Sequence, residues 1–391
     1  MLPLRALSVG VAAAVMITCA SAGVAETGAD HPKIYIPSIS TGELIVVDQT
    51  SQKELKRIST AIGAIDLHLT PDGQFGYVVH TWNRAIGVVR LKCPASRDWT
   101  AAEKLRKRCE PDTVLEPILV KGRSSFIHTI GRANPRWVYS LSLGEPGELG
   151  ALERIDTRSG VVTFLRDFSG NGTVTPDGKI LWLTSPAGLE AVSGETGQAL
   201  GRSIAYSEKD RGSIVHDLEM TLDGRFVVTL HSWPSGIAEP GAPARNADQA
   251  TFGLYDTKTL QHVGDFPLAA GAHAISMDIN VRQAWSANTQ KDVSVLLLRD
   301  RKVVNIPTPY NSVGVALTSD GKGAWVTMID GNIWDVVKMS DPVIRNGNMR
   351  SYVQLYSTSS FEPIGPLVDL GNTTVGVPKA YPPIVASRRQ R

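Results

Sequence analysis

A short turn pattern recurs along the chain and limits what it can fold into. Thr, Asp and Gly occur in the same order at residues 70–73, 175–178, 221–224 and 318–321. Each copy separates two apolar runs, and such a turn between strand-like runs predicts a β-hairpin. Helical periodicity is nearly absent from the chain. The sequence is therefore predicted to be all-β and built from repeated units.

The spacing of the units predicts their architecture. A large apolar residue opens the strand after each hairpin, and weaker turns near residues 132 and 280 have one as well. These six residues are Tyr77, Trp137, Trp182, Val228, Trp285 and Trp325, and Tyr35 begins the same pattern without a preceding turn, which makes seven register positions. Their separations of 42, 60, 45, 46, 57 and 40 residues fit four-stranded propeller blades with insertions. A pair of β-sandwiches would not repeat one register throughout, so we predict one seven-bladed β-propeller of four-stranded antiparallel blades. The tryptophans in register are predicted to be wedges between blades.

The two ends of the chain predict how the ring closes. The first unit begins at its second strand, within IYIPS at residues 34–38, and lacks an innermost strand. The C-terminal GNTTVGVP, residues 371–378, aligns with GAHAISMD, residues 271–278, which opens another unit. We expect the C-terminal strand to join the N-terminal blade, which removes the open sheet edges.

The first residues are typical of an export signal. Arg5 precedes an apolar run, and Gly23 and Ala25 lie where a signal peptidase would cleave, near Glu26. The run of roughly 14 apolar residues is shorter than the ~20 that span a bilayer. Lipid attachment at Cys19 is an alternative. Residues 1–25 are predicted to be a signal peptide, 26–386 the propeller and 387–391 a frayed tail. The mature protein would be periplasmic or secreted, without a membrane span.

Export also bears on the cysteines that follow. Cys93 and Cys109 remain after cleavage, and an oxidising compartment favours a disulfide between them over two free thiols. They enclose a basic segment, and residues 92–112 are predicted to be an insertion in the propeller.

Composition and missing motifs exclude several functions. A net charge of +2 with scattered basic residues does not predict nucleic-acid binding. The chain has no GxSxG elbow, Walker loop, dinucleotide fingerprint or CxxCH motif, which excludes a covalently attached haem. Whether the protein is an enzyme is left open.

Histidines and tryptophans supply the candidate site. YVVHTW at 77–82 and VVTLHSW at 227–233 place His80 and His231 at the ends of second strands, on the top face. His216 and His273 are predicted at the channel entrance, so all four would share one mouth. His68 and His128, mid-strand, are predicted to be core histidines.

These residues suggest two kinds of ligand. Imidazole is a common metal ligand, so His216, His231 and His273 form a candidate Cu or Zn site, or one of them could ligate a non-covalent haem. Trp82, Trp233 and His80 could bind a flat small molecule. The alternatives are histidines that cap strand ends and tryptophans that pack between blades.

The repeated units resemble a known family. LYDTKTL, RIDTRSG, LTPDG and VTPDG resemble the bacterial YVTN-type propeller repeats. The resemblance implies the propeller fold, which serves as binding platform, enzyme or inert subunit. Similar exported propellers include the cofactor-free subunits of quinoprotein amine dehydrogenases and the domains related to cytochrome d1.

The sequence thus favours an exported binding or scaffold propeller that recognises a small molecule or a periplasmic protein partner at the channel mouth. The alternatives are a metal- or cofactor-dependent oxidoreductase and a cofactor-free subunit of a redox complex.

Overall fold

Seven four-stranded antiparallel sheets form the molecule, as a computed structural model shows, and the predicted seven-bladed β-propeller is confirmed. The structure describes residues 32–80, 83–94, 103–104, 108–130, 134, 136–143, 149–210, 213–232, 250–269, 271–272, 274–277, 282–331 and 349–381.

The strands of each blade follow one another from the channel outwards, except in blade 1. Blade 1 contains β28 (Lys379–Tyr381), β1 (Lys33–Pro37), β2 (Glu43–Asp48) and β3 (Glu54–Ser59). Blade 2 contains β4 (Ala64–Leu69), β5 (Phe75–His80), β6 (Ala85–Arg90) and β7 (Thr113–Leu119). Blade 3 contains β8 (Arg123–Ile130), β9 (Trp137–Leu143), β10 (Ala151–Asp156) and β11 (Val162–Asp167).

The second half of the ring repeats this order. Blade 4 contains β12 (Gly172–Val174), β13 (Ile180–Ser185), β14 (Gly188–Ser193) and β15 (Ala199–Ala205). Blade 5 contains β16 (Ile214–Met220), β17 (Phe226–Ser232), β18 (Ala250–Asp256) and β19 (Gln261–Leu268). Blade 6 contains β20 (Ala274–Met277), β21 (Gln283–Ala287), β22 (Asp292–Leu297) and β23 (Lys302–Pro307). Blade 7 contains β24 (Asn311–Leu317), β25 (Gly323–Ile329), β26 (Arg350–Ser357) and β27 (Pro363–Asn372).

The innermost strands form a closed ring around the channel. Each of β4, β8, β12, β16, β20, β24 and β28 contacts the next one, and β28 contacts β4. Strand β28 pairs with β1, so the C-terminal strand completes the N-terminal blade as predicted. The pairing strand lies just after GNTTVGVP, whose Val375 makes an isolated bridge to Ser38.

The recurring hairpin is stabilised by its own side chains. In the first copy the Thr70 hydroxyl donates to Asp72 Oδ1 at 2.6 Å, and the same oxygen accepts the Gln74 amide. Gly73 adopts a φ of +67°, which favours glycine. The equivalent Thr–Asp bonds recur in the other three copies. This repeated chemistry explains why the pattern marks the fold in the sequence.

The register residues fill the space between blades. Trp182, Trp285 and Trp325 are at most 1% exposed, as predicted for wedges. Trp137 is only half-buried, and the Arg154 guanidinium stacks on its ring at 4.2 Å. Three of the four tryptophans are therefore fully enclosed by apolar neighbours.

The disulfide between Cys93 and Cys109 is present, with the two Cα atoms 5.9 Å apart. It closes the insertion after β6. Glu103 within the insertion accepts from the buried Arg90 guanidinium at 2.6 Å, which fastens it to blade 2. Across the described residues, no helix is long and apolar enough to cross a bilayer.

Candidate functional site

Blades 2 and 5 share a repeat much longer than the hairpin. Residues 64–82 read AIDLHLTPDGQFGYVVHTW, and residues 215–233 read VHDLEMTLDGRFVVTLHSW. Both innermost strands carry a β-bulge one residue before an aspartate, at Ile65 in β4 and at His216 in β16. A bulge adds an unpaired residue and redirects the side chains that follow it. The aspartates Asp66 and Asp217 therefore occupy the same place in two separate blades.

Each aspartate is fixed by the backbone. Asp66 Oδ1 accepts the amide of Leu67 at 2.6 Å, and Asp217 Oδ1 accepts that of Leu218 at 2.8 Å. The second oxygen of Asp217 accepts the Ile275 amide of blade 6, also at 2.8 Å. Both carboxylates are thus held in place before any ligand arrives.

Asp66 has two basic side chains as neighbours in the channel. His68 Nε2 lies 3.1 Å from one carboxylate oxygen, and Lys379 Nζ, on β28, lies 3.5 Å from the other. These three side chains are 13%, 18% and 23% exposed because they line the channel. Burial alone would raise the pKa of Asp66, but Lys379 and His68 lower it to about 2. Asp66 is therefore a carboxylate at neutral pH.

The surroundings of Asp217 raise its pKa, whereas those of Asp66 lower it. Burial and the nearby Glu219 and Asp66 carboxylates together raise its pKa to about 7, and the Ile275 amide and Lys379 only partly offset them. Blades 2 and 5 are not neighbours, so the interaction between Asp66 and Asp217 must cross the channel. We call Asp66, His68, Asp217, Glu219 and Lys379 the channel cluster.

His80 lies in the packing of blade 2. Its side chain is almost fully enclosed, and burial lowers its pKa to about 4 although a hydrogen bond to the backbone of Ala85 opposes this. Among the residues that the structure describes, none forms a hydrogen bond with its Nε2. The predicted role of His80 in ligand binding stays a prediction, because Trp82 and Trp233 lie outside the described residues.

His231 is enclosed between blades 4 and 5. Its Nδ1 lies 2.7 Å from the Ser213 hydroxyl, and its Nε2 lies 2.6 Å from that of Thr229 and 3.2 Å from that of Tyr255. Burial lowers its pKa to about 3. Because hydroxyls engage both nitrogens, His231 in this arrangement has no free nitrogen to offer a metal or a haem.

The other predicted ligands are only partly described. His216 is half-buried at the bulge of β16, and His273 lies outside the described residues. The Cu or Zn site on His216, His231 and His273 and the non-covalent haem stay predictions. His68 is not a core histidine but lies in the channel beside Asp66; the side chain of His128 is outside the described part.

The channel carboxylates were missed at the sequence level. The signal was present, because an Asp-Leu pair precedes the hairpin by the same distance in both copies of the long repeat. Lys379 carried no such signal, since only ring closure brings it to Asp66.

The similarities to known proteins support the propeller fold but not a particular activity. No protein-family model matches the chain, so the YVTN-type relationship stays a resemblance, and no curated protein matches it either. A solved structure of Kuenenia stuttgartiensis hydrazine synthase is similar, with a TM-score of 0.55 and 17% identity over 78% of this chain and 94% of that one. A functionally unknown protein from Desulfotomaculum acetoxidans has a TM-score of 0.61 and 9% identity, over 90% and 99% of the two chains. Dihydro-haem d1 dehydrogenase NirN in complex with DHE has a TM-score of 0.52 and 12% identity, over 89% and 74%. At these identities the likeness establishes a propeller and no shared activity.

Proposed function

We propose that this protein is an exported binding propeller whose channel receives a small ligand with a positively charged group. The observation that carries the proposal is Asp217, a carboxyl fixed by two backbone amides and facing the carboxylates of Glu219 and Asp66. The disulfide supports an extracytoplasmic location.

The charges of the channel cluster favour a cation. Its three carboxyl groups are opposed by Lys379 and by His68, and Lys379 contacts Asp66 rather than Asp217. A protonated amine beside Asp217 would restore the balance and lower the pKa of that carboxyl. Cation binding would therefore displace the proton that Asp217 holds near neutral pH.

Recognition is better supported than catalysis. The carboxylates are held by main-chain amides, as in a preorganised binding site whose groups need little reordering when the ligand arrives. The alternatives, an oxidoreductase or a cofactor-free subunit of a redox complex, depend on His273 and on loops outside the described residues. A protein partner at the channel mouth would cover the same opening.

Calorimetric titration with putrescine, agmatine and choline tests the proposal, with 1,4-butanediol as the uncharged probe. At least one of the cations should bind, and Asp217→Asn should weaken it at least about tenfold, or about 1.4 kcal/mol. Affinity should rise between pH 6 and 8 in the wild type, since the pKa of Asp217 is about 7 and its anion attracts the cation.

A matched control removes a carboxylate from the surface. Asp167 pairs with Lys121 on the outside of blade 3 and is 55% exposed, so Asp167→Asn should bind as the wild type does. Absence of binding by all three cations, or equal binding by wild type and Asp217→Asn, would overturn the proposal.

A further inference from the structure

A second polar cluster lies at the junction of blades 4 and 5, outside the channel cluster. Asp210 is on the loop between β15 and β16, and His262 and Asp265 are on β19, the outermost strand of blade 5. Each can offer one ligand atom, and these atoms lie within 4.8 Å of one another. We call these three residues the junction cluster.

A bulge in β19 brings two members of the cluster together. Residues three apart on a regular strand face opposite sides of the sheet. The register between β18 and β19 shifts so that Tyr255 pairs with His262 and Leu254 with Gly264. His262 Nε2 consequently lies 2.6 Å from Asp265 Oδ1.

Asp210 supplies the innermost group. Its side chain is fully buried, and its loop is fixed by the Ser213 hydroxyl, which donates to the Asp210 carbonyl at 2.6 Å. Oδ1 accepts from the Thr251 hydroxyl at 2.9 Å. Within the described part of the chain Oδ2 has no hydrogen-bond partner, and it lies 3.8 Å from Nε2 of His231. A buried carboxylate oxygen without a donor is costly and indicates a missing positive partner.

The charge of the junction cluster also favours a bound cation. Burial and the neighbouring Asp265 carboxylate raise the pKa of Asp210, as expected of two carboxyls that share one site. When both carboxyls are ionised, they carry two negative charges at one site. A divalent cation bound to a neutral His262 would reduce the net charge to zero.

We propose that the junction cluster binds a divalent first-row transition metal, such as Zn²⁺ or Mn²⁺, through His262, Asp265 and Oδ2 of Asp210. An imidazole with two carboxylates suits these ions, whereas Ca²⁺ and Mg²⁺ prefer oxygen ligands throughout. Bonds of about 2.0 to 2.2 Å require the three atoms to move together slightly. His262 and Asp265 are 25% and 12% exposed, which leaves the ion a route from solvent.

Neighbouring side chains would orient the ligands. Thr251 holds Asp210 through Oδ1, the oxygen that is not the proposed ligand. Loss of such an outer partner weakens metal binding by about 10 to 100-fold. This metal would join two blades and does not depend on the proposed channel ligand.

Untagged protein, stripped with a chelator and dialysed against Zn²⁺ or Mn²⁺, tests the site by elemental analysis and calorimetry. One equivalent of metal per chain is expected. His262→Gln and Asp265→Asn should each weaken binding by more than the roughly 100-fold upper range for an outer partner, and Thr251→Val by roughly 10 to 100-fold.

His68 provides a matched control, because it also contacts an aspartate, Asp66, at 3.1 Å. His68→Gln should retain the metal. Asp210→Asn should lose the metal while its thermal unfolding remains cooperative, which separates lost ligation from lost folding. Less than 0.1 equivalent bound to the wild type, or unchanged binding after both His262→Gln and Asp265→Asn, would overturn the inference and leave the two carboxyls sharing a proton.

Discussion

Blades 2 and 5 carry the same long repeat but surround its histidine with different chemistry. His231 in blade 5 contacts the hydroxyls of Ser213, Thr229 and Tyr255. In the matching register, blade 2 has apolar residues at all three places: Ile62, Val78 and Val89. One architecture therefore holds an imidazole with hydroxyls at both nitrogens in blade 5, and in blade 2 one that bonds the Ala85 backbone and whose Nε2 has no partner among the described residues.

The two blades agree in the space they make for the ring. Gly87 lies opposite Val78 and Gly253 opposite Thr229. A Cβ on Gly87 would lie 2.7 Å from Cε1 of His80, and one on Gly253 would lie 2.6 Å from Oγ1 of Thr229. Both blades thus have a glycine at the matching register position, and the two surroundings differ in polarity.

The largest expected effect comes from replacing each histidine by leucine, which is similar in volume. His231→Leu should lower the free energy of unfolding by about 3 kcal/mol, because buried hydroxyls lose their partner. His80→Leu should cost only about 1 kcal/mol, because it removes one bond, to the Ala85 backbone, and Nε2 has no partner among the described residues. Urea unfolding near pH 7.5 measures both, and equal losses would contradict the contrast between the pockets.

The pH dependence that His80 gives to the free energy of unfolding should be somewhat smaller than the loss in His231→Leu. Its pKa falls from 6.5 to about 4 on folding because burial disfavours the imidazolium. The unfolded chain therefore takes up a proton first as pH falls, and stability is lost between about pH 6.5 and 4. Relative to His80→Leu, the wild type should lose about 2 kcal/mol between pH 7.5 and 5. Urea unfolding at several pH values tests this, and a constant difference between the two proteins would refute it.

Thr229 and Val78 lie two positions before His231 and His80, and exchanging their side chains should change the free energy of unfolding least. Thr229→Val removes a hydroxyl from Nε2 of His231 and should cost about 1 kcal/mol. Val78→Thr offers the equivalent hydroxyl to His80, so the new bond should offset the burial of a polar group and leave stability within about 0.5 kcal/mol. If thermal and urea unfolding show Val78→Thr to be as damaging as Thr229→Val, the two pockets do not correspond.

The fold was predictable because its signals are local and repeated. Thr70, Asp72 and Gly73 stabilise a hairpin within a few residues, and the same bonds return in other blades. Ring closure followed from a unit that lacked its first strand. The disulfide followed from two cysteines in a chain that the sequence predicts to be exported.

The channel cluster was not predictable in the same way. Asp66 and Asp217 are far apart in sequence, and only their positions on opposite sides of the ring bring them into electrostatic contact. Bulges add to the difficulty, because side-chain direction on a strand is inferred from a period of two. That rule fails at His216, where β16 has an extra residue, and between His262 and Asp265.

Burial of the histidines also escaped sequence reasoning. The HTW and HSW steps place His80 and His231 at strand ends, where a rim and an interior are equally compatible with the pattern. In blade 2 the glycine across the sheet, Gly87, admits the ring to the interior, because a Cβ there would lie 2.7 Å from Cε1 of His80.

The strand that closes the ring also delivers Lys379 to the channel. A chain lacking residues 379–381, or still emerging during synthesis, would hold Asp66 without this counterion. The finished charge pattern of the channel therefore exists only after the last strand has docked, so ligand affinity would report that the molecule is complete.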